Sequence, residues 1–255
     1  MIDIHCHALN SIDDGARDLS ESLEMLKLAN ENSISAIIFT PHIKCGGDID
    51  EFINKRDALF DELKSAAKDF ECPDLYKGAE VYADDDIFYA EIERLTINNT
   101  KYILVEFNFI QFIPQRIEKY FNEIKSLGLK PIFAHPERYS YCQNDYEFLN
   151  YLRRMGVLFQ INASSLAGMG SMNEFLLAKE LINKQMASFI GSDGHSPRGR
   201  TNELLKMASA FPSDLDAQYL DYVLNETPLL LLGDEEIPDS SIGQIAKQGN
   251  YRRFH

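Results

Sequence analysis

Ile2-Asp3-Ile4-His5-Cys6-His7 opens the chain as a short β-branched run that ends in histidines. Residues two apart on a strand share a face, so both imidazoles can grip one ion where the strand ends. Further β-branched or aromatic runs stand at Ala36–Thr40, Tyr76–Val81, Tyr102–Phe107, Pro131–His135, Val157–Asn162 and Ser188–Ser192. Between the runs lie amphipathic stretches near Ser20–Asn30, Asp50–Lys68, Asp85–Leu95, Pro114–Ser126, Tyr146–Met155, Asn173–Asn183 and Asn202–Ala210. Ser20 with Glu24 close behind, and Pro114 opening a stretch that Gly128 follows, fit helix-cap chemistry. Such alternation specifies βα units around a parallel sheet. Seven units with no Pro/Gly/Ser-rich linker predict a single α/β domain over 1–255, a TIM-like barrel lacking one unit. Ser213–Asn225 reads as another helix, Leu229–Leu232 as a short apolar piece, and residues from about Asp234 as an irregular or weakly helical tail (234–255). The closing Tyr251-Arg252-Arg253-Phe254-His255 reads as a frayed terminus, with a partner-binding arm as the alternative.

The 255 residues carry 40 acidic and 25 basic side chains, a formal net charge of −15. That balance argues against a nucleic-acid binder, which needs a Lys/Arg surface to displace counterions. No stretch approaches the roughly 18 apolar residues of a membrane span, and the chain opens without a basic-then-apolar leader. The expectation is a cytoplasmic protein without direct membrane insertion. Cys6, Cys45, Cys72 and Cys142 are scattered and form no CxxC pair. A cysteine phosphatase needs an Arg six positions after its thiolate; those positions hold Ile12, Glu51, Gly78 and Phe148.

In a parallel barrel the chemistry collects at the C-terminal strand ends. Here these ends carry His5 and His7, then His42, Glu80, Glu106, His135, and finally Asp193 with His195; only the sixth ends without a strong ligand, in Asn162. Asp14 follows the first strand in the Asp13-Asp14-Gly15 turn. A lone histidine at such a place is usually a structural hydrogen-bonding group, but five of the six histidines in register with strand ends and carboxylates specify a metal site. Nine candidate ligands exceed what one ion takes, so a cluster of two or three divalent ions is the simplest reading. Imidazole and carboxylate donors without thiolate suit Mn, Zn or Fe. Such a cluster activates water and clamps a substrate's oxygens, which points to phosphoester hydrolysis. Arg138 lies three residues beyond His135 and Arg200 five beyond His195, and guanidinium forks match phosphate oxygens.

The ordered motifs Ile2–His7, Asp13-Asp14-Gly15-Ala16, Thr40-Pro41-His42, Gly78-Ala79-Glu80-Val81, Val105-Glu106-Phe107, Pro131–Tyr139 and Gly191–His195 resemble the PHP (polymerase and histidinol phosphatase) superfamily. Within it they are most similar to the bacterial manganese-dependent protein tyrosine phosphatases of capsule and exopolysaccharide loci. The resemblance implies a distorted (β/α)7 barrel holding three divalent ions, Mn first, with Fe, Zn or Mg as alternatives. By motif position, His5, His7, Glu80 and Asp193 would hold one ion, and Glu80, Glu106 and His135 a second. Asp14, His42 and His195 would hold the third. Arg138 and Arg200 would bind phosphate, spacing favouring Arg200 over Arg198. The family's last motif usually has Ala at Gly194 and Asn at Ser196. The implied substrate is phosphotyrosine on a tyrosine autokinase that controls polysaccharide export.

The expected chemistry is in-line attack on phosphorus by activated water. A phenolate leaving group, with a pKa of about 10, needs little protonation, so no general acid is assigned. Histidinol phosphatase or another small phosphomonoesterase is the competing enzymatic reading. A non-catalytic metal-binding regulatory module conflicts with the complete ligand set, and a PHP-type exonuclease with the negative charge and missing polymerase regions.

Overall fold

The computed structural model describes residues 1–109 and 113–238. Nine parallel strands trace seven staves. They are β1 (Ile2–Cys6), β2 (Ala36–Phe39), β3 (His42–Lys44), β4 (Asp74–Lys77), β5 (Glu80–Tyr82), β6 (Tyr102–Glu106), β7 (Lys130–Ala134), β8 (Leu158–Asn162) and β9 (Phe189–Gly191). The ladders run β1-β2-β4 and β3-β5-β6-β7-β8-β9. β3 continues the line of β2 across Thr40-Pro41, where proline has no N–H for the ladder. β5 likewise continues β4 across Gly78-Ala79, so the run Tyr76–Val81 is two strands rather than one. The barrel closes where Asp193 N–H donates to His5 O and His7 N–H to Gly194 O, both at 2.8 Å. The Asp3 carboxylate reinforces the seam by accepting from Ser192 N (2.9 Å) and Ser192 Oγ (2.6 Å).

One irregularity in β1 decides what faces the interior. Asp3 pairs with Ile37 and Cys6 with Phe39, so Ile4 and His5 both stand opposite Ile38. This bulge resets the alternation. Below it Ile2 and Ile4 join the interior cluster with Ile38, Leu104, Ile132, Leu158 and Phe189. Above it His5 and His7 reach the mouth. The opposite strand faces, with Ile37, Phe39, Ile103, Val105, Phe133, Phe159 and Ile190, pack against the helices in a second and larger cluster.

The helices follow from caps and apolar periodicity. α1 (Leu19–Glu31) and α2 (Ile49–Ala66) start where Asp18 and Asp48 accept the N–H of Glu21 and Glu51. α3 (Pro114–Ser126) opens on proline and buries Ile117, Phe121 and Ile124. α4 (Ser140–Asn144), α5 (Tyr146–Arg154), α6 (Ala163–Leu166), α7 (Met172–Asn183) and α8 (Leu204–Ala208) complete the ring. The short α4 and α6 are not foreseen by the sequence pattern, and α8 is shorter than Asn202–Ala210. The expected helix Asp85–Leu95 is two 3₁₀ turns, Asp85–Phe88 and Ile92–Leu95. There Asp84 caps Asp86 N–H, and a local turn replaces a longer helix. The expected helix Ser213–Asn225 begins only at α9 (Ala217–Asp221), capped by Asp216, and widens into a π turn over Tyr222–Glu226. Pro228, which has no N–H, follows that turn inside α10 (Thr227–Leu232). The apolar piece Leu229–Leu232 is thus helical.

α10 stoppers the lower end of the barrel. Leu231 is fully buried in the interior cluster, with Ile237 packed against it. The stretch beyond α10 is fastened there: Lys101 N–H donates to Asp234 Oδ1 at 2.8 Å and Tyr102 Oη to Glu235 O at 2.5 Å. The arm Tyr251–His255 lies outside the described residues. Among the described residues, no helix is long and apolar enough to cross a membrane. Leu231→Ala is expected to cost about 2–5 kcal/mol, the usual penalty for emptying a buried leucine site, seen as a lower urea midpoint.

Candidate metal centre

Every strand-end residue singled out in the sequence comes to the barrel mouth, and the donor atoms interlock. His5 Nε2 lies 2.9 Å from Glu80 Oε2 and 3.7 Å from Asp193 Oδ1; His7 Nε2 lies 3.2 and 3.6 Å from the same oxygens. His135 Nε2 meets the other Glu80 oxygen at 2.9 Å. His42 Nδ1 is 3.2 Å from Glu80 Oε2 and 3.0 Å from Glu106 Oε1. Asp14 Oδ1 stands 3.5 Å from His42 Nε2 and 3.4 Å from His195 Nε2. Among the described residues, three groups have donor atoms within 4.8 Å of one another: His5, His7, Glu80 and Asp193; His7, Asp14, His42 and His195; and His42, Glu80 and Glu106. The grouping differs in detail from the motif-based one, since His42 joins Glu80 and Glu106 while His135 reaches only Glu80.

The protonation pattern asks for cations. His5 Nδ1 faces Gln160 Oε1 at 2.9 Å, an oxygen that also accepts His135 N–H, while Gln160 Nε2 donates to Ile161 O and Asn162 Oδ1. His7 Nδ1 faces the Asp13 carboxylate at 2.7 Å, and His195 Nδ1 the backbone carbonyl of Asp193 at 2.9 Å. Each of these partners only accepts, so all three rings carry their proton on Nδ1 and turn Nε2 inward. His5 and His7 then present Nε2 atoms 3.1 Å apart. Two bare lone pairs repel at that distance, so either a shared proton or a metal ion must supply positive charge there. Donors about 2.1 Å from one ion stand roughly 3.0–3.4 Å apart in octahedral or tetrahedral geometry, and the contacts above bracket that range. His135 also keeps a buried Nδ1 without a hydrogen-bond partner. The residues fit divalent ions.

Electrostatics agree. Burial alone would push Glu80 and Asp193 up, yet the surrounding imidazoles hold both carboxylates below their ordinary range. Burial would lower His7, but hydrogen bonds to Asp13 and Glu80 raise it to about 10. His5 and His42 are also raised by neighbouring carboxylates against the effect of burial. His195, lowered to about 4 by burial and by His7, stays neutral and ready to ligate.

Local backbone serves the site. His135 (φ 37°) and Asp193 (φ 53°) adopt left-handed conformations just past β7 and β9, strain that the surrounding bonds must hold. Gly15 lets the Asp13-Asp14 turn lie on β1: a Cβ there would stand 2.0 Å from His7 O. Gly191 leaves room for His5 and Gln160, which a Cβ would meet at 2.9 and 3.1 Å.

Asp193 divides its two oxygens. Oδ1 faces the histidines, whereas Oδ2 accepts from Arg138 Nη1 (3.1 Å), Arg200 Nη2 (2.6 Å) and Asn162 Nδ2 (2.8 Å). Arg198 points away, 85% exposed and 3.7 Å from Glu24. Arg138 also lies over the Phe109 ring at 5.0 Å, and Phe109 stacks on Tyr139 at 4.6 Å.

Sequence reasoning passed over the polar residues behind the ligands. Asp13 orients His7 and also accepts His42 N–H at 3.0 Å. Gln160 and Asn162 join His5 to Asp193 through side-chain amides. Their signal was present, two polar residues at i, i+2 in an apolar strand, the same spacing as His5 and His7.

A parallel barrel whose strand ends carry clusters able to hold metal ions is the class that fold and site define. The chain belongs to the CpsB/CapC family of capsular polysaccharide synthesis, whose model matches residues 1–233. It is 32% identical over 239 residues to tyrosine-protein phosphatase YwqE of Bacillus subtilis, covering 93% of each chain. It is 29% identical over 211 residues to tyrosine-protein phosphatase CpsB of Streptococcus agalactiae, covering 77% of this chain and 83% of the other. The crystal structures of YwqE from Bacillus subtilis and CpsB from Streptococcus pneumoniae, unique metal-dependent tyrosine phosphatases, supply a similar solved chain. It matches with a TM-score of 0.82 at 27% identity, over 97% of this chain and 100% of that one.

Two outcomes are expected of the metal-free protein. Gln160→Ala should weaken metal binding by about 10–100-fold while leaving the fold, because a lost orienting partner frees the His5 ring; titration with Mn followed by circular dichroism checks both. Because His5, His7 and His42 hold their protons above the ordinary range, ion uptake must displace protons. Apparent affinity should therefore rise with pH through neutrality, and calorimetry in buffers of different ionisation enthalpy should detect released protons.

Proposed function

We propose that the protein is a metal-dependent protein tyrosine phosphatase that removes phosphate from a tyrosine autokinase governing capsular or exopolysaccharide synthesis. The division of Asp193 carries the reading: one oxygen belongs to the donor cluster, while the other gathers two arginines at its edge. Two arginines beside candidate metal donors support anion recognition there, as phosphate-ester hydrolysis requires. Three divalent ions, Mn first, would be held by His5, His7, Asp14, His42, Glu80, Glu106, His135, Asp193 and His195. Bound ions supply a nucleophile at neutral pH, by lowering the pKa of water, and charge neutralisation on the phosphoryl oxygens.

The chain's own groups do the rest. Arg138 and Arg200 swing from Asp193 Oδ2 to the phosphate oxygens and orient the ester. Gln160 and Asp13 keep the proton of His5 and His7 on Nδ1, so each ring presents Nε2. Phe109, 38% exposed beside Arg138, offers an aromatic surface to the phenyl ring, and the phenol leaves as a stable anion. The name of the family and the named relatives support this reading over a small-molecule phosphatase.

The test is phosphate release from a phosphotyrosine peptide and from histidinol phosphate in parallel, after chelation and after adding back Mn. Mn-dependent preference for the peptide is expected; preference for histidinol phosphate would move the enzyme to small-molecule metabolism. Arg200→Ala should lower kcat/KM by about 10²–10³, the usual cost of removing one donor to a developing anion, and Arg198→Ala should leave it unchanged. Glu80→Ala or His135→Ala should abolish turnover with the fold kept.

A further inference from the structure

A cavity of about 390 Å³ opens beside the metal centre, and its floor includes Asn162, Asp193 and Arg200. It therefore continues from the phosphate-facing side of Asp193, where Oδ2 meets the guanidinium groups. The β8–α7 connection contributes Met169 to its lining, and α8 contributes Lys206 and the nearly buried Met207. None of these three belongs to a donor cluster. The volume lies in the range that takes a ligand of many atoms rather than a lone phosphate group.

The charges around it are already satisfied. Lys206 Nζ is 3.0 Å from both Glu203 carboxylate oxygens, and Thr201 Oγ1 donates to Glu203 Oε2 at 2.9 Å. A charged occupant gains little there. Met169, by contrast, is a large apolar side chain left 58% exposed, with Met172 at the start of α7 67% exposed. Methionine is flexible and polarizable, and suits surfaces that receive varied apolar side chains.

We propose that this cavity is a subsite for the polypeptide that flanks phosphotyrosine, with Met169 and Met207 receiving an apolar side chain next to the phosphorylated residue. The inference rests on the tyrosine phosphatase reading above and adds the sequence context that the enzyme prefers. Continuity with the arginine side of Asp193 fixes the occupant: a chain whose phosphate is held there passes the cavity on its way out. A small aryl phosphate has no flanking residue and makes no use of it.

The experiment compares three substrates on the Mn-loaded enzyme: a phosphotyrosine peptide with leucine at the neighbouring positions, the same peptide with alanine there, and p-nitrophenyl phosphate. The leucine peptide should show a KM at least about 5-fold below the alanine peptide, of the order that a few buried methylenes supply. Met169→Asp should erase that difference, Met169→Leu should preserve it, and both variants should match the parent on p-nitrophenyl phosphate. Equal KM values for the two peptides, or a preference that survives Met169→Asp, would overturn the subsite while leaving the phosphatase reading standing. Turnover of p-nitrophenyl phosphate with none of either peptide would sink the protein-substrate reading, and the subsite with it.

Discussion

The Glu80 carboxylate, fully buried at the barrel mouth, is met by nitrogens of four histidines at 2.9–3.2 Å. Those histidines, His5, His7, His42 and His135, come from three different staves, and Glu80 itself opens β5. An ionised carboxylate in such a place is costly unless cations or donors surround it, so the mouth has one electrostatic solution: a ring of imidazoles with positive charge among them. Much else in the fold serves to keep that ring in register. The bulge in β1, the left-handed turns at His135 and Asp193, and the glycine at position 15 each aim a donor that regular strand geometry would misdirect.

Behind the ring stands a layer of oriented partners. Asp13 and the backbone carbonyl of Asp193 fix the rings of His7 and His195, and Gln160 fixes His5 while its own amide is held by Asn162 and Ile161. Glu137 extends the layer, since its Oε1 accepts Asn162 N–H at 2.8 Å and its carboxyl, driven by burial, rises to about 7. The sixth stave thus contributes no ligand but connects the first stave's histidine to the seventh's carboxylate.

Most of this was legible in the sequence because a parallel barrel gives each stave one informative position, its C-terminal end. His5, His7, His42, Glu80, Glu106, His135, Asp193 and His195 could be read from strand ends alone, and Asp14 from the turn after the first. What stayed hidden depends on three-dimensional closure. Splitting of two staves at Pro41 and Gly78-Ala79 follows from the ladder rather than from propensity. Asp85–Leu95 has helical periodicity, but Asp84 caps a tighter turn. Spacing already favoured Arg200 over Arg198, but the contacts behind that choice, Arg198 with Glu24 and Arg200 with Asp193, follow only from the loop path. Gln160 and Asn162 were passed over because neutral amides carry no charge to mark them.

The seam between β1 and β9 has a further consequence, for the order in which the molecule is made. The bonds His5 O to Asp193 N and His7 N to Gly194 O join residues almost two hundred positions apart, and Leu231 and Ile237 must arrive later still to fill the lower end. Contacts of such long sequence separation form late and slowly. His5 and His7 have Asp14, His42 and Glu80 as early neighbours in the chain, but their donor groups are complete only once Asp193 and His195 follow. An ion held between His5 and Asp193 would therefore be a latch set only once the two ends of the barrel have met, resisting unfolding without guiding the early steps of assembly.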